Sequence, residues 1–132
     1  VEEVEVVKEV EEIRGMEPFR GLVVWQRAHQ LCLWIYRVTA AFPQHELFGL
    51  TSQFRRNGQS IPSNVAEGSK RPSIVDRKHY NVIAEGSLEE MKYQLILARD
   101  LAYITPEQYE EGMRLCQEVG YLLHAYSKGM RS

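Results

Sequence analysis

The side chains able to do acid–base, nucleophilic or metal chemistry in this sequence are four histidines, two cysteines and eighteen carboxylates. A carboxylate-bridged di-metal centre in a helical protein needs two Glu-x-x-His pairs faced by two further glutamates, because one helical turn puts residues i and i+3 on the same face. Only Asp76-x-x-His79 has that spacing, with the shorter carboxylate and no second copy. His29, His45, His79 and His124 fall on different segments, and none stands beside a Ser or Cys in a nucleophile–base motif. The G-x-S-x-G, H-E-x-x-H, P-loop and G-x-G-x-x-G patterns are all missing. No catalytic residue, metal or cofactor is assigned, and the chain is expected not to be an enzyme. Cys32 and Cys116 are far apart, each among apolar residues at helical spacing, and read as reduced, buried thiols.

Two polar patterns carry more information. Gln53, Arg56, Ser60, Asn64 and Glu67 recur at steps of three and four, and Glu85, Ser87, Glu89 and Glu90 surround Gly86. A helix places each set together. They read either as a hydrogen-bonded seam between helices or subunits, or as a ligand contact. An unsatisfied buried polar group costs about 1–3 kcal/mol, so the seam reading, with Gln53, Arg56, Ser60, Asn64, Glu67, Glu85, Ser87 and Glu90 as members, expects an Arg56 pair with Glu67 or Glu85. The basic residues cluster modestly. Arg55, Lys70, Arg71, Arg77 and Lys78 are the candidate phosphate contacts, or else solvated helix ends. Aromatic residues suited to base stacking are not interleaved with them, which argues against a sequence-specific single-strand reader.

Helices must position these groups. Trp25, Ala28, Leu31, Cys32, Ile35, Val38 and Phe42 follow a period near 3.6 over a segment from about Leu22 to Ala41, stopped by Pro43. Leu47, Leu50, Phe54, Gly58, Ile61 and Val65 do the same over about Leu47 to Gly68, with Pro62 expected to kink the helix. A third segment, about Ser73 to Tyr103, offers His79, Ile83, Leu88, Met91, Leu95, Ala98 and Ala102 as its buried face, and Gly86 in its middle suggests close helix packing. Thr105-Pro106-Glu107 is a strong start signal for the fourth, whose inner face reads Tyr109, Met113, Cys116, Gly120, Leu123 and Tyr126. No segment alternates as a strand does. The fold class is all-α, an antiparallel up-down four-helix bundle.

The 132 residues suit one domain, and no apolar run approaches the roughly 20 residues of a membrane span. Residues 1–15 hold six glutamates against Lys8 and Arg14, a net of −4, while residues 16–132 are slightly basic at +2. We expect residues 1–15 to be a loose acidic extension, or a short helix if ordered. Met16-Glu17-Pro18-Phe19 reads as a natural start, and residues 16–132 form the bundle domain.

Several runs occur together in a familiar order: Trp25-Gln26-Arg27-Ala28, Phe42-Pro43, Glu46-x-x-Gly49-Leu50-Thr51-x-Gln53, Arg55-Arg56, Ser60-Ile61-Pro62-Ser63-Asn64-Val65-Ala66-Glu67-Gly68 and Ala84-x-Gly86-Ser87-x-x-Glu90. They resemble the four helix bundle protein family, also called the S23 or 23S rRNA intervening-sequence protein family. The match is good from about Phe19 to Ile104 and looser beyond. The resemblance implies an antiparallel bundle assembled as a ring-shaped homopentamer, no enzyme activity, and genes that can lie within bacterial 23S rRNA genes. It does not imply a ribosomal subunit. The accessory protein of diversity-generating retroelements has a similar bundle that binds nucleic acid through a basic surface, but lacks the S-I-P-S-N run. The chain departs from the family pattern at Asn57-Gly58-Gln59, where small apolar residues are usual, and a local opening of the helix is expected there. The leading reading is a cytoplasmic, non-enzymatic homo-oligomer, pentameric by resemblance, that binds structured RNA or DNA and no membrane. The alternative is an oligomeric scaffold with a protein partner, for which Tyr103, Tyr109, Tyr121 and Tyr126 are candidate contacts.

Overall fold

The computed structural model describes residues 17–130; the acidic segment 1–15 lies outside them. Four helices follow in order: α1 Val23–Thr39, α2 Leu50–Ser69, α3 Ile74–Asp100 and α4 Pro106–Lys128. Short 3-10 turns at Pro18–Gly21 and Gln44–Glu46 precede α1 and α2. Among the described residues there is no strand. Each helix packs on its neighbour in sequence, α4 closes back on α1, and α2 and α3 share the most extensive interface. The backbones of the diagonal pairs stay more than 8 Å apart at Cα, so the bundle is a square of antiparallel neighbours, as short connections require. No helix among the described residues is long and apolar enough to cross a membrane.

Local chemistry sets the helix ends. Thr105 Oγ1 accepts from the Gln108 N–H (3.0 Å) and Gln108 Oε1 accepts from the Thr105 N–H (2.9 Å), a reciprocal cap that starts α4. Glu46 Oε1 accepts from the Leu50 N–H at the start of α2, and its other oxygen accepts from the Tyr103 hydroxyl at 2.9 Å. One carboxylate thus ties the entry of α2 to the turn between α3 and α4. At that turn α3 ends with the Tyr103 N–H donating to the Ala98 carbonyl and the Ala102 N–H to the Arg99 carbonyl. This paired closure needs a left-handed residue, and Ala102 supplies it with φ 60°.

The core is one cluster with Leu31, Ile35, Phe54, Ile61, Met91, Leu95 and Leu123 fully buried. The periodicity read from α1 and α2 agrees with it, except that Trp25 and Cys32 are half-buried, Leu47 is exposed, and Val24 and Trp34 are core residues too. On α4 the buried line is Gly112, Cys116, Val119 and Leu123, with Tyr109, Met113, Gly120 and Tyr126 at its edges.

Three expectations are corrected. The buried face of α3 is Asn81, Ala84, Leu88, Met91, Leu95 and Ala98, spaced three and four apart; His79 and Ile83 lie out of that phase and are exposed, and Ala102 lies past the helix end. Gly86 is not a packing glycine within the subunit, since a Cβ there would meet nothing within 4 Å. Finally, α2 is continuous through Asn57-Gly58-Gln59, without the local opening expected there, and Pro62 stands inside it. Gly58 lets α1 approach, with Cys32 Cα 3.6 Å from where its Cβ would sit, and the buried Asn57 donates to Gln94 Oε1 at 3.1 Å.

At Gly112 on α4 the side chains of α1 and α3 fill the space a Cβ would need: it would lie 2.7 Å from Trp34 Cη2 and 2.8 Å from Leu95 Cδ2. Gly112→Ala should therefore cost about 1–3 kcal/mol by overpacking, read from the urea midpoint. Ala102→Gly should gain about 1 kcal/mol in the same assay, because glycine relieves the left-handed strain.

Candidate functional site

Among the described residues no three His, Cys, Asp or Glu side chains converge to hold a metal ion. His29 stacks on Trp25 with centroids 5.1 Å apart, and His45 sits edge-on to Tyr103. His79 and His124 are exposed. Neither free cysteine is an activated nucleophile. Desolvation raises the thiols of half-buried Cys32 and buried Cys116 above the usual range, which leaves little thiolate at neutral pH.

The polar seam is real at its centre and not at its ends. The Ser87 hydroxyl donates to Ser60 Oγ at 2.7 Å across the α2–α3 interface. Asn64 Nδ2 donates to the Ser60 carbonyl and hydroxyl at 2.7 and 3.0 Å. Asn57 with Gln94 extends the line, and Asn81 ties α3 to α4 by donating to the Leu123 carbonyl and to Glu85 Oε1. Sequence reasoning missed Asn57, Asn81 and Gln94; the signal available was that Asn57 and Asn81 stand within runs of buried apolar residues at helical spacing. Gln53, Arg56, Glu67 and Glu90 are exposed. The expected Arg56 pair with Glu67 or Glu85 is not made. Glu67 accepts from Arg71 at 2.9 Å and from the Tyr80 hydroxyl, while Glu85 is taken by Asn81.

The five basic candidates do not form one patch. Arg55 lies near the start of α2 and Lys70 just after its end, about 22 Å apart at 1.5 Å per residue. At the α2–α3 turn Arg71 pairs with Glu67 and lies over the Tyr80 ring at 5.0 Å. Arg77 Nε donates to the Arg71 carbonyl at 2.6 Å. Lys70 and Lys78 are exposed and make no ion pair among the described residues. At the other end, Arg55 Nε donates to Thr39 Oγ1 at 2.8 Å and its guanidinium lies 4.8 Å from the centre of the Tyr36 ring. Arg56 is exposed beside it. A cleft of about 420 Å³ opens here, lined by Tyr36, Phe48, Ser52, Arg55, Arg56 and Gln59 among others, with no carboxylate. Folding therefore puts aromatic rings next to paired arginines that the linear order keeps apart.

A family model described as 23S rRNA-intervening sequence protein matches residues 20–125, a span that takes in α1, α2, α3 and nearly all of α4. The chain belongs to that family. A solved relative agrees: the crystal structure of a protein with unknown function from the S23 ribosomal protein family of Bacteroides thetaiotaomicron is 28% identical, with a TM-score of 0.72 over 80% of this chain and 99% of the other. No curated protein matches.

This S23-type bundle leaves one long apolar line uncovered. Val75, Val82, Gly86 and Tyr93 recur at intervals of seven, four and seven residues along α3, within about 40° of one another around the helix and opposite its core face. Val75, Val82 and Tyr93 are 76, 62 and 63% exposed. Beside the line, a groove of about 610 Å³ between α2 and α3 is walled by Leu50, Gln53, Glu90, Tyr93, Gln94 and Leu97 with Glu46. Of the tyrosines considered as partner contacts, only Tyr121 is well exposed; Tyr103, Tyr109 and Tyr126 pack on the core.

The buried thiol gives a pH signature. Desolvation, with a further push from Glu89 and a partial offset from Lys92, lifts Cys116 to about 12 from an ordinary 9.0. The folded state keeps a proton that the unfolded chain releases, so this contribution is intact below pH 9 and is lost as pH rises toward 12. The stability gap between wild type and Cys116→Ala should shrink by up to about 1.4 kcal/mol per pH unit in that window, measured by urea unfolding under reducing conditions.

Proposed function

We propose that this family member is a non-enzymatic, cytoplasmic homo-oligomer, a ring of five, that self-associates through the outer face of α3 and binds structured RNA through basic residues that assembly leaves open. The observation that carries the reading is the line Val75, Val82, Gly86 and Tyr93. A glycine in mid-helix costs about 1 kcal/mol against alanine, and among the described residues a Cβ at Gly86 would meet nothing within 4 Å. Its neighbours on the line, Val75, Val82 and Tyr93, are large apolar side chains in water, and a row of exposed apolar side chains is the material of a contact with another macromolecule. The α2–α3 groove adjoins that face at Tyr93 and mixes the apolar Leu50 and Leu97 with Gln53, Gln94 and carboxylates, a composition open to a subunit contact. Support for RNA is electrostatic: Arg56, Lys70 and Lys78 are exposed and make no ion pair among the described residues.

One observation favours the second reading, an oligomeric scaffold with a protein partner. Arg71 and Arg77, two of the five basic candidates, are already engaged within the subunit.

Light scattering separates the cases. Wild type should run as a pentamer, and Val82→Glu or Gly86→Arg should yield folded monomers with unchanged helical content by circular dichroism. A monomeric wild type at micromolar concentration would sink the assembly reading. A labelled structured rRNA fragment should add mass to the ring at low salt and be lost as salt rises; a ring indifferent to RNA transfers the function to a protein partner.

A further inference from the structure

We infer that the cleft between α1 and the start of α2 is a receptor for an unpaired nucleotide in an RNA loop. This rests on the RNA binding proposed above and names the place and the chemistry of contact. Phe48 is 92% exposed, on the turn that Glu46 fastens to Tyr103. This large apolar ring, on a held turn rather than a free end, is the most exposed of the large hydrophobics among the described residues. Tyr36 stands across the cleft from α1 with the Arg55 guanidinium over its ring and its hydroxyl accepting from Gln59 Nε2.

The charge in the cleft is of one sign. Arg55 is held through Nε alone, which leaves its terminal nitrogens without a hydrogen bond among the described residues, and Arg56 has no ion pair there. No carboxylate lines the cavity, whose volume of about 420 Å³ is in the range of small-ligand sites. The chemistry that fits is an anionic group for the guanidiniums joined to a flat π-face for Phe48, with the Gln59 carbonyl oxygen and Ser52 hydroxyl free to meet a polar edge. An unpaired nucleotide has all three features, and base–aromatic stacking beside arginine is how single strands are held. A base inside a duplex cannot present its face. An acidic peptide would satisfy the charges and leave the ring and the polar edge unused. The apolar line on α3 is a separate surface from the cleft; a ring of five joins two different faces of each subunit, so the oligomer mass of the cleft variants is part of the test.

The test uses the full chain and two fluorescein-labelled RNAs with the same stem, one closed by an unpaired loop and one blunt-ended, read by fluorescence anisotropy. The looped RNA should bind more tightly than the blunt duplex. Phe48→Ala should weaken the looped RNA on the order of tenfold, leave the duplex unchanged, and keep the oligomer mass; Phe48→Tyr should restore binding. Arg56→Ala should reduce the salt dependence by about one phosphate contact. Wild type that binds the looped RNA with Phe48→Ala equal to it overturns the cleft and leaves the RNA reading standing. Wild type that binds neither RNA overturns both. A change of oligomer mass in Phe48→Ala reassigns the cleft to a subunit contact. An acidic peptide that binds wild type but not Phe48→Ala, with looped RNA unaffected by the substitution, reassigns it to a protein partner; either result overturns the inference.

Discussion

The α2–α3 interface is closed by side-chain hydrogen bonds as well as by apolar contact, and much of the surface follows from it. Ser60 with Ser87 and Asn57 with Gln94 bridge the two helices at different heights along their axes. Such pairs have directional geometry, so they fix how far one helix can slide along the other, which apolar packing alone does weakly. The serines are small, which suits two long helices lying close. With that register fixed, α3 turns Leu88, Met91 and Leu95 inward and must turn Val75, Val82, Gly86 and Tyr93 outward, because one helix cannot bury opposite faces in a four-cornered bundle.

A second constraint operates at one end of the bundle. Glu46 caps α2 with one oxygen and accepts from Tyr103 with the other, while Tyr103 is placed by the left-handed closure at Ala102. The turn bearing Leu47 and Phe48 is therefore held from two directions. A fixed turn can keep an apolar ring in water at a defined place, beside Arg55 and Arg56 from the next turns of α2 and Tyr36 from α1. The opposite end is built differently. There Arg71 and Arg77 are consumed in tying the α2–α3 turn together, so cationic side chains in the two places have different duties although they look alike in sequence.

The chemistry points the same way throughout. The buried thiol of Cys116 is held in its neutral form, the histidines stand apart, and at the α2–α3 interface Ser60 pairs with Ser87 and Asn57 with Gln94, while Asn81 Oδ1 is buried without a hydrogen-bond partner among the described residues. Outward the bundle turns Val75, Val82 and Tyr93 of α3, Phe48 on its turn, and the exposed Arg56, Lys70 and Lys78, the groups on which the proposed contacts rest.

Much of this was legible in the sequence. The four helices, their stops and the capping of α4 by Thr105 follow from local periodicity and cap chemistry, and the S-I-P-S-N run carried the family. The inner faces of α1 and α2 were read nearly in full because strongly apolar side chains mark them. On α3 the true face contains Asn81 and Ala84, weak apolar signals, while out-of-phase Ile83 is strongly apolar, so the pattern alone chose the wrong phase at one end. The partners of Arg56, Glu67 and Glu85, the vacancy around Gly86, and the meeting of Tyr36, Phe48 and the paired arginines were decided only by the tertiary structure. A helix repeats every 3.6 residues from its own sequence, but which side chains meet across two helices depends on their relative rotation and height, and those are set by the packing of the whole core.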